Sequence, residues 1–146
     1  MATFARNVDV EWTGGLMDGK GEAKAGSGAF TLPVTFPNRI GEAGGKTSPE
    51  ELMAAAHAAC FAMAMNAALG KKGGKATKVR VNAKVTADKG DAGIKVVSSH
   101  LTATVEGLEG IDKAKLSELA AGAEKGCPIS NAIRGNVTVS VDASAV

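Results

Sequence analysis

From Leu52 to Leu69 the chain runs for 18 residues without a charged side chain, and this run constrains the fold more than any other feature. Its start is marked by Ser48-Pro49-Glu50-Glu51: Ser48 is the N-cap and Pro49 takes the first helical position. Glu51, three residues after the cap, is where a capping-box carboxylate reaches back to the cap N–H. Gly70 marks the end. The predicted helix is apolar nearly all round, with Leu52, Ala55, Ala56, Ala59 and Met63 on one stripe and Met53, Ala64 and Ala68 on another. Such a helix belongs in the middle of something. Its length sits at the threshold for a membrane span. The presence of His57 and Asn66, the preference for Ala over Leu and the mid-chain position without flanking topology signals argue for a core helix instead.

The remaining pattern supplies the layers around it. Val8 to Thr13 and Phe30 to Phe36 alternate as strands of an antiparallel meander, separated by glycine-rich turns at Gly14-Gly15 and Gly26-Ser27-Gly28. Residues 37 to 47 read as a loop by composition. Two long alternating runs, Lys78 to Val85 and Ile94 to Val105, predict a hairpin turning at Gly90-Asp91-Ala92-Gly93. A second helix is expected from Ile111 to about Lys125, ending at Gly126, then a short helical turn from Cys127-Pro128 to Arg134 and a last strand over Asn136 to Val141. No repeat or linker interrupts the 146 residues, so residues 1–146 are expected to form one α+β domain. At 45% hydrophobic but only 3% aromatic, its core must be built from small side chains packed closely.

A formal charge of +2 from scattered basic residues, with few aromatics to interleave among them, argues against nucleic-acid binding. The N-terminus lacks the basic and apolar regions of a secretory signal, so a cytoplasmic location is expected. In a reducing compartment Cys60 and Cys127 are then either inert or redox-active.

Cys60 lies within the apolar helix, where a free cysteine is ordinarily a core residue. Cys127 is different. It follows a glycine terminator and precedes a proline suited to a first helical turn, a setting that favours thiolate. Glu51 is explained by capping, which leaves Glu50 without a local task, and Arg39, just before the helix start, can approach it. A Cys60–His57 hydrolase pair and a metal site from His57, Cys60, His100 and Cys127 are weaker readings, because no zinc-type cysteine spacing is present.

Three segments together, Thr47-Ser48-Pro49-Glu50-Glu51-Leu52, Ala55-Ala56-His57-Ala58-Ala59-Cys60-Phe61 and Gly126-Cys127-Pro128-Ile129-Ser130, closely resemble the OsmC/Ohr family, the osmotically inducible and organic hydroperoxide resistance proteins. The likeness spans nearly the whole chain. It implies an intertwined homodimer with antiparallel sheets wrapped around long central helices, and thiol-dependent reduction of hydroperoxides in oxidative or osmotic stress defence, with no metal or other cofactor. It carries the peroxidatic role to Cys60, the resolving role to Cys127 and the glutamate of the Pro-Glu-x-Leu motif to Glu50. The arginine selects the branch: the early turn Gly14 to Gly19 contains none, whereas Asn38-Arg39 matches the osmotically inducible branch. A lipoyl-type dithiol is the reductant that the resemblance suggests.

The chemistry of the residues agrees. A thiolate attacks the peroxide oxygen, leaving a sulfenic acid that condenses with a second thiol. An ordinary thiol, of pKa about 8.5, is mostly protonated at neutral pH. Cys60 therefore needs a cation, for which Arg39 held by Glu50 is the candidate. Ten residues of continuous helix separate Glu50 from Cys60, about 15 Å at the usual rise. The expectation is a site shared across a two-fold axis, in which one subunit supplies both thiols and its partner supplies Glu50 and Arg39. The competing reading is a redox-responsive binding protein switched by the same disulfide without turnover.

Overall fold

Three strands open the chain, β1 (Val8–Thr13), β2 (Lys20–Ala25) and β3 (Thr31–Val34), in the order β1-β2-β3 with antiparallel pairing throughout. The middle strand is absent from the sequence expectation, because the residues it turns inward, Gly21, Ala23 and Ala25, are small rather than β-branched. Gly21 has a specific reason to be glycine. It stands opposite Trp12 in the ladder, and a Cβ there would lie 2.7 Å from the indole ring. Pro33 is tolerated because β3 is an edge strand.

The segment after β3 departs from the loop expected for residues 37 to 47. Thr35 caps a short helix, α1 (Phe36–Ile40), accepting from the Asn38 N–H and pairing with the Asn38 side chain at 2.5 Å. The Asn38 amide in turn donates to the carbonyl of Glu42. Thr47 N–H donates to Pro33 O, so the approach to the long helix is tied to β3.

That helix, α2, runs unbroken over Pro49–Lys71. Ser48 caps it as expected, its Oγ accepting from the Glu51 N–H at 3.1 Å. The Glu51 carboxylate does not close a capping box; it accepts from Thr47 Oγ1 at 2.8 Å instead. The helix also passes Gly70 and is terminated just beyond Lys71 by Gly73, whose φ is +74°. The Gly74 N–H reaches Leu69 O and the Gly73 N–H reaches Gly70 O, the paired bonds of a Schellman terminus.

A computed structural model describes residues 1–146, which divide into two compact units, Met1–Leu52 and Met53–Val146. The second unit holds β4 (Lys78–Gly90), β5 (Gly93–Glu106), α3 (Leu116–Gly126), α4 (Pro128–Ile133) and β6 (Thr138–Ala145). A 3₁₀ turn, Lys113–Lys115, precedes α3, so the second helix starts later than Ile111, with Asp112 capping the turn. Strands β4 and β5 form the expected hairpin, with one register shift at Thr86/Ala87. One pairing departs from an all-antiparallel sheet: β6 lies parallel to β5. The chain between Glu106 and Thr138 therefore returns to the starting end of β5 through α3 and α4.

The core of this unit is a three-way contact. Phe61, Met65 and Leu69 come from α2, Leu101, Ala103 and Val105 from alternate positions of β5, and Leu116, Ala120 and Ala123 from α3. Cys127 completes it. Within one chain α2 buries only the stripe His57, Phe61, Met65 and Leu69. Its other apolar residues stay open, Met63 being 71% exposed.

Candidate active site

The expected site residues fall into two pairs. In the first unit, Arg39 stands on the last turn of α1, held there by its N–H bond to Thr35 O, and Glu50 stands on the first turn of α2. The guanidinium grips the carboxylate with two edges: Nε donates to Oε2 at 3.1 Å and Nη2 donates to Oε1 at 2.6 Å. Both side chains are mostly covered, at 27% and 15% exposure, which separates this pair from the open lysine pairs of the second unit. The hydrogen bond from Arg39 holds the Glu50 carboxyl below the usual glutamate range, and the same bond raises Arg39 further. Arg39 Nη1 makes no hydrogen bond within the chain.

In the second unit, α2 presents Cys60 and the start of α4 presents Cys127. Both are free thiols, Cys127 fully buried and Cys60 half-buried, and they are close enough that each acts on the other's titration. Gly126 ends α3 and Pro128 opens α4, so Cys127 is the shared cap between two helices. Its own N–H bonds Glu124 O at 3.1 Å, and its side chain sits at the amino end of α4. Burial pushes the Cys127 thiol up, but the Ser130 N–H, the Ser130 hydroxyl, the neighbouring Cys60 and the Ile129 N–H together outweigh it, and the thiol lies below its ordinary value. Cys60 shifts the other way: burial raises it, the Ile129 N–H opposes, and Cys127 adds to the rise.

His57 is the residue whose surroundings sequence reasoning missed. It is fully buried, with Nδ1 at 2.7 Å from Ser99 Oγ and Nε2 at 2.8 Å from Ser130 Oγ. Burial keeps it below the ordinary histidine value, and the Glu124 carboxylate works against that. Glu124, also buried, is paired with Arg134 at 2.5 Å. His100 is elsewhere, on the exposed side of β5 with Ser140 and Asp142. The hydrolase pair and the four-residue metal site considered from sequence are therefore not assembled: His57 is engaged by two serines, and no group of three or more His, Cys, Asp or Glu side chains is gathered for a metal.

Two free thiols set side by side, one at a helix amino end, form an arrangement that can take up and release two electrons as a disulfide. Comparison with known proteins gives the same direction. The chain is 36% identical over 139 residues to "Peroxiredoxin OsmC" of Escherichia coli (strain K12), covering 94% of this chain and 95% of that protein. It is 35% identical over 126 residues to the "Organic hydroperoxide resistance protein" of Xanthomonas axonopodis pv. citri, covering 84% of each. Its backbone superposes on the crystal structure of an organic hydroperoxide resistance protein OsmC from Legionella pneumophila with a TM-score of 0.76, at 30% identity over 99% of both chains. A family model described as OsmC-like protein matches residues 41–142, and the chain belongs to the OsmC/Ohr family, as a peroxidase-type enzyme that detoxifies hydroperoxides.

Proposed function

We propose that the protein reduces organic hydroperoxides to alcohols through a Cys60 sulfenic acid and a Cys60–Cys127 disulfide. The observation that carries this reading is the placement of two free thiols within reach of each other, one half-exposed and one buried at a helix start. The half-exposed thiol meets the substrate. The Cys60 thiolate attacks the outer peroxide oxygen, the O–O bond breaks, and the alkoxide leaves with the electron pair and takes a proton. The Cys127 thiolate then attacks the Cys60 sulfur, an S–S bond forms, and hydroxide departs to become water. A dithiol, of which a lipoyl group is one type, reopens the bond by exchange.

Cys60 is raised, not lowered, by its surroundings within one chain, so this chemistry requires a cation brought to it. Arg39 is suited to the task, since Glu50 fixes its Nε and Nη2 and leaves Nη1 open. We assign that role to Arg39 of the partner subunit, held by Glu50 of the partner subunit, in a homodimer. Two features favour a second copy: the open apolar side of α2, and the edge strand β1, which exposes Val8, Val10 and Trp12. The Arg39–Glu50 pair also fits the osmotically inducible branch. The test is steady-state reduction of several organic hydroperoxides with several dithiols. Repeated turnover is the expected result, and stoichiometric consumption that stops after one equivalent would leave a redox-switched binding protein as the better reading.

A further inference from the structure

We propose that His57, acting through Ser130, is the positioning residue that holds Cys127 in its nucleophilic form for the resolving step. The inference rests on the disulfide chemistry proposed above and adds a role for a residue outside it.

The observation is a continuous buried string. Of the polar and charged residues buried in the second unit, His57, Ser99, Ser130 and Glu124 are all that there are, and they gather around the start of α4. A histidine buried in an apolar helix needs partners for two ring nitrogens, and one could have been left to water. Here both go to serine hydroxyls, one on β5 and the other on the first turn of α4. Ser130 is the third residue after Cys127, on the first turn of the helix that Cys127 caps, a position from which its hydroxyl can turn toward the cap residue.

A hydroxyl has one hydrogen to give, and where it goes decides the state of the thiol. If His57 carries its hydrogen on Nδ1, Nε2 is an acceptor and the Ser130 hydrogen is drawn to it. Ser130 Oγ can then only accept from a Cys127 S–H, which favours the thiol. If the hydrogen is on Nε2, it donates to Ser130 Oγ and Ser99 donates to Nδ1. The Ser130 hydrogen is then free to point at the Cys127 sulfur, which favours the thiolate, and each bond in the string polarises the next. A neutral imidazole is needed for this second arrangement. Burial supplies it, against the opposing field of Glu124, whose charge is taken up by Arg134. The groups facing Cys127 are then Cys60 from α2 and Ser130 and Ile129 from α4, with no water reaching a sulfur that is 0% exposed. The fixed string does what solvent does for an open thiolate. In the step itself the Cys127 thiolate forms the S–S bond, the S–O bond of Cys60 breaks, and hydroxide leaves with its pair and takes a proton from solvent at the half-exposed Cys60.

The test follows the lifetime of the sulfenic acid after one equivalent of cumene hydroperoxide, by acid quench and mass spectrometry, across pH. In His57→Leu the condensation is expected to slow by about tenfold or more near neutrality, its pH midpoint to move up by about one unit, and the deficit to close at alkaline pH where Cys127 ionises unaided. His57→Gln, which keeps an N–H directed at Ser130, is expected to restore most of the rate. If His57→Leu and His57→Gln both keep the wild-type midpoint, or are slowed equally at every pH, the histidine only fills space and the inference is wrong. Should His57→Leu fail to fold, Ser130→Ala is expected to show the same upward midpoint and Ser130→Thr to restore it, and an unmoved midpoint in Ser130→Ala would equally overturn the proposal. Wild-type protein that forms neither sulfenic acid nor disulfide would instead remove the peroxidase reading itself.

Discussion

Nε and Nη2 of Arg39 rest on the two oxygens of Glu50 at 3.1 Å and 2.6 Å, a fork-to-carboxylate fit that lysine could not reproduce. It commits one edge of the guanidinium and leaves Nη1 without a partner in the chain. Arg39→Ala should therefore slow the oxidation of Cys60 by hydroperoxide by about 10²-fold or more, as expected for loss of a preorganised donor. Glu50→Ala, which keeps the cation but loosens it, should cost less. Stopped-flow rates of sulfenic acid formation, with a thiol titration of each variant, check both. An unchanged titration in Arg39→Ala would remove that residue from the site.

The two thiols should respond unequally to replacement. Cys60→Ser is expected to abolish peroxide consumption, whereas Cys127→Ser should consume one equivalent and stop at a sulfenic acid that dimedone traps. The opposite pattern would exchange their roles.

If sites are shared between subunits, mixtures can be active where the parents are not. Cys60→Ser and the double variant Arg39→Ala/Glu50→Ala, unfolded together and refolded, should recover activity, because a mixed dimer contains one intact site. No recovery at any mixing ratio would place a complete site on each chain.

Acid should weaken the fold in two stages. His57 is held below its ordinary value in the native state, so its contribution is complete above the unfolded pKa of about 6.5 and is lost as pH falls through the lower native value. Glu50 is also lowered; its share is complete above about pH 4.3 and is lost only below that. The urea midpoint should therefore drop between neutrality and pH 5 in the wild type, and this first drop should be absent in His57→Gln. A midpoint that is flat over that interval in the wild type would contradict the assignment.

Oxidation should stabilise the chain. A disulfide from Cys60 to Cys127 restricts the unfolded state by closing a loop large enough to be worth roughly 4 kcal/mol in the chain-entropy account. Calorimetry of protein treated with peroxide against protein treated with dithiol should show the higher melting temperature in the oxidised form.

Much of this architecture is visible in the residues. Pro49 and Pro128 announce the starts of α2 and α4, and alternation exposes the β4–β5 hairpin. What stays hidden has physical reasons. β2 turns Gly21, Ala23 and Ala25 inward, so its burial carries no β-branched signature. α1 is only five residues, and its cap, Thr35, falls within the alternation that marks a strand. Gly70 looks like a terminator, yet it is the glycine at position 73 that adopts positive φ. Of the site, both cysteines and the arginine–glutamate pair are legible from their local contexts. Ser99 and Ser130 are not, because they meet His57 across 42 and 73 residues of chain, and nothing local marks them.

The parallel placement of β6 beside β5 has a kinetic meaning for Cys127. The segment that carries it is fastened at both ends to neighbouring strands of one sheet, so its sulfur moves as part of a closed ring and not as a free end. Cys60, on α2, packs against the same core, and two groups held together in a fixed frame can react with an effective molarity of about 10⁵ M or more when well oriented. Small thiols of the cell, dissolved at far lower concentration, would lose the race for an oxidised Cys60. In the proposed cycle the fold would thereby select the intramolecular product and shorten the time during which a second peroxide could carry the sulfur to an irreversible acid.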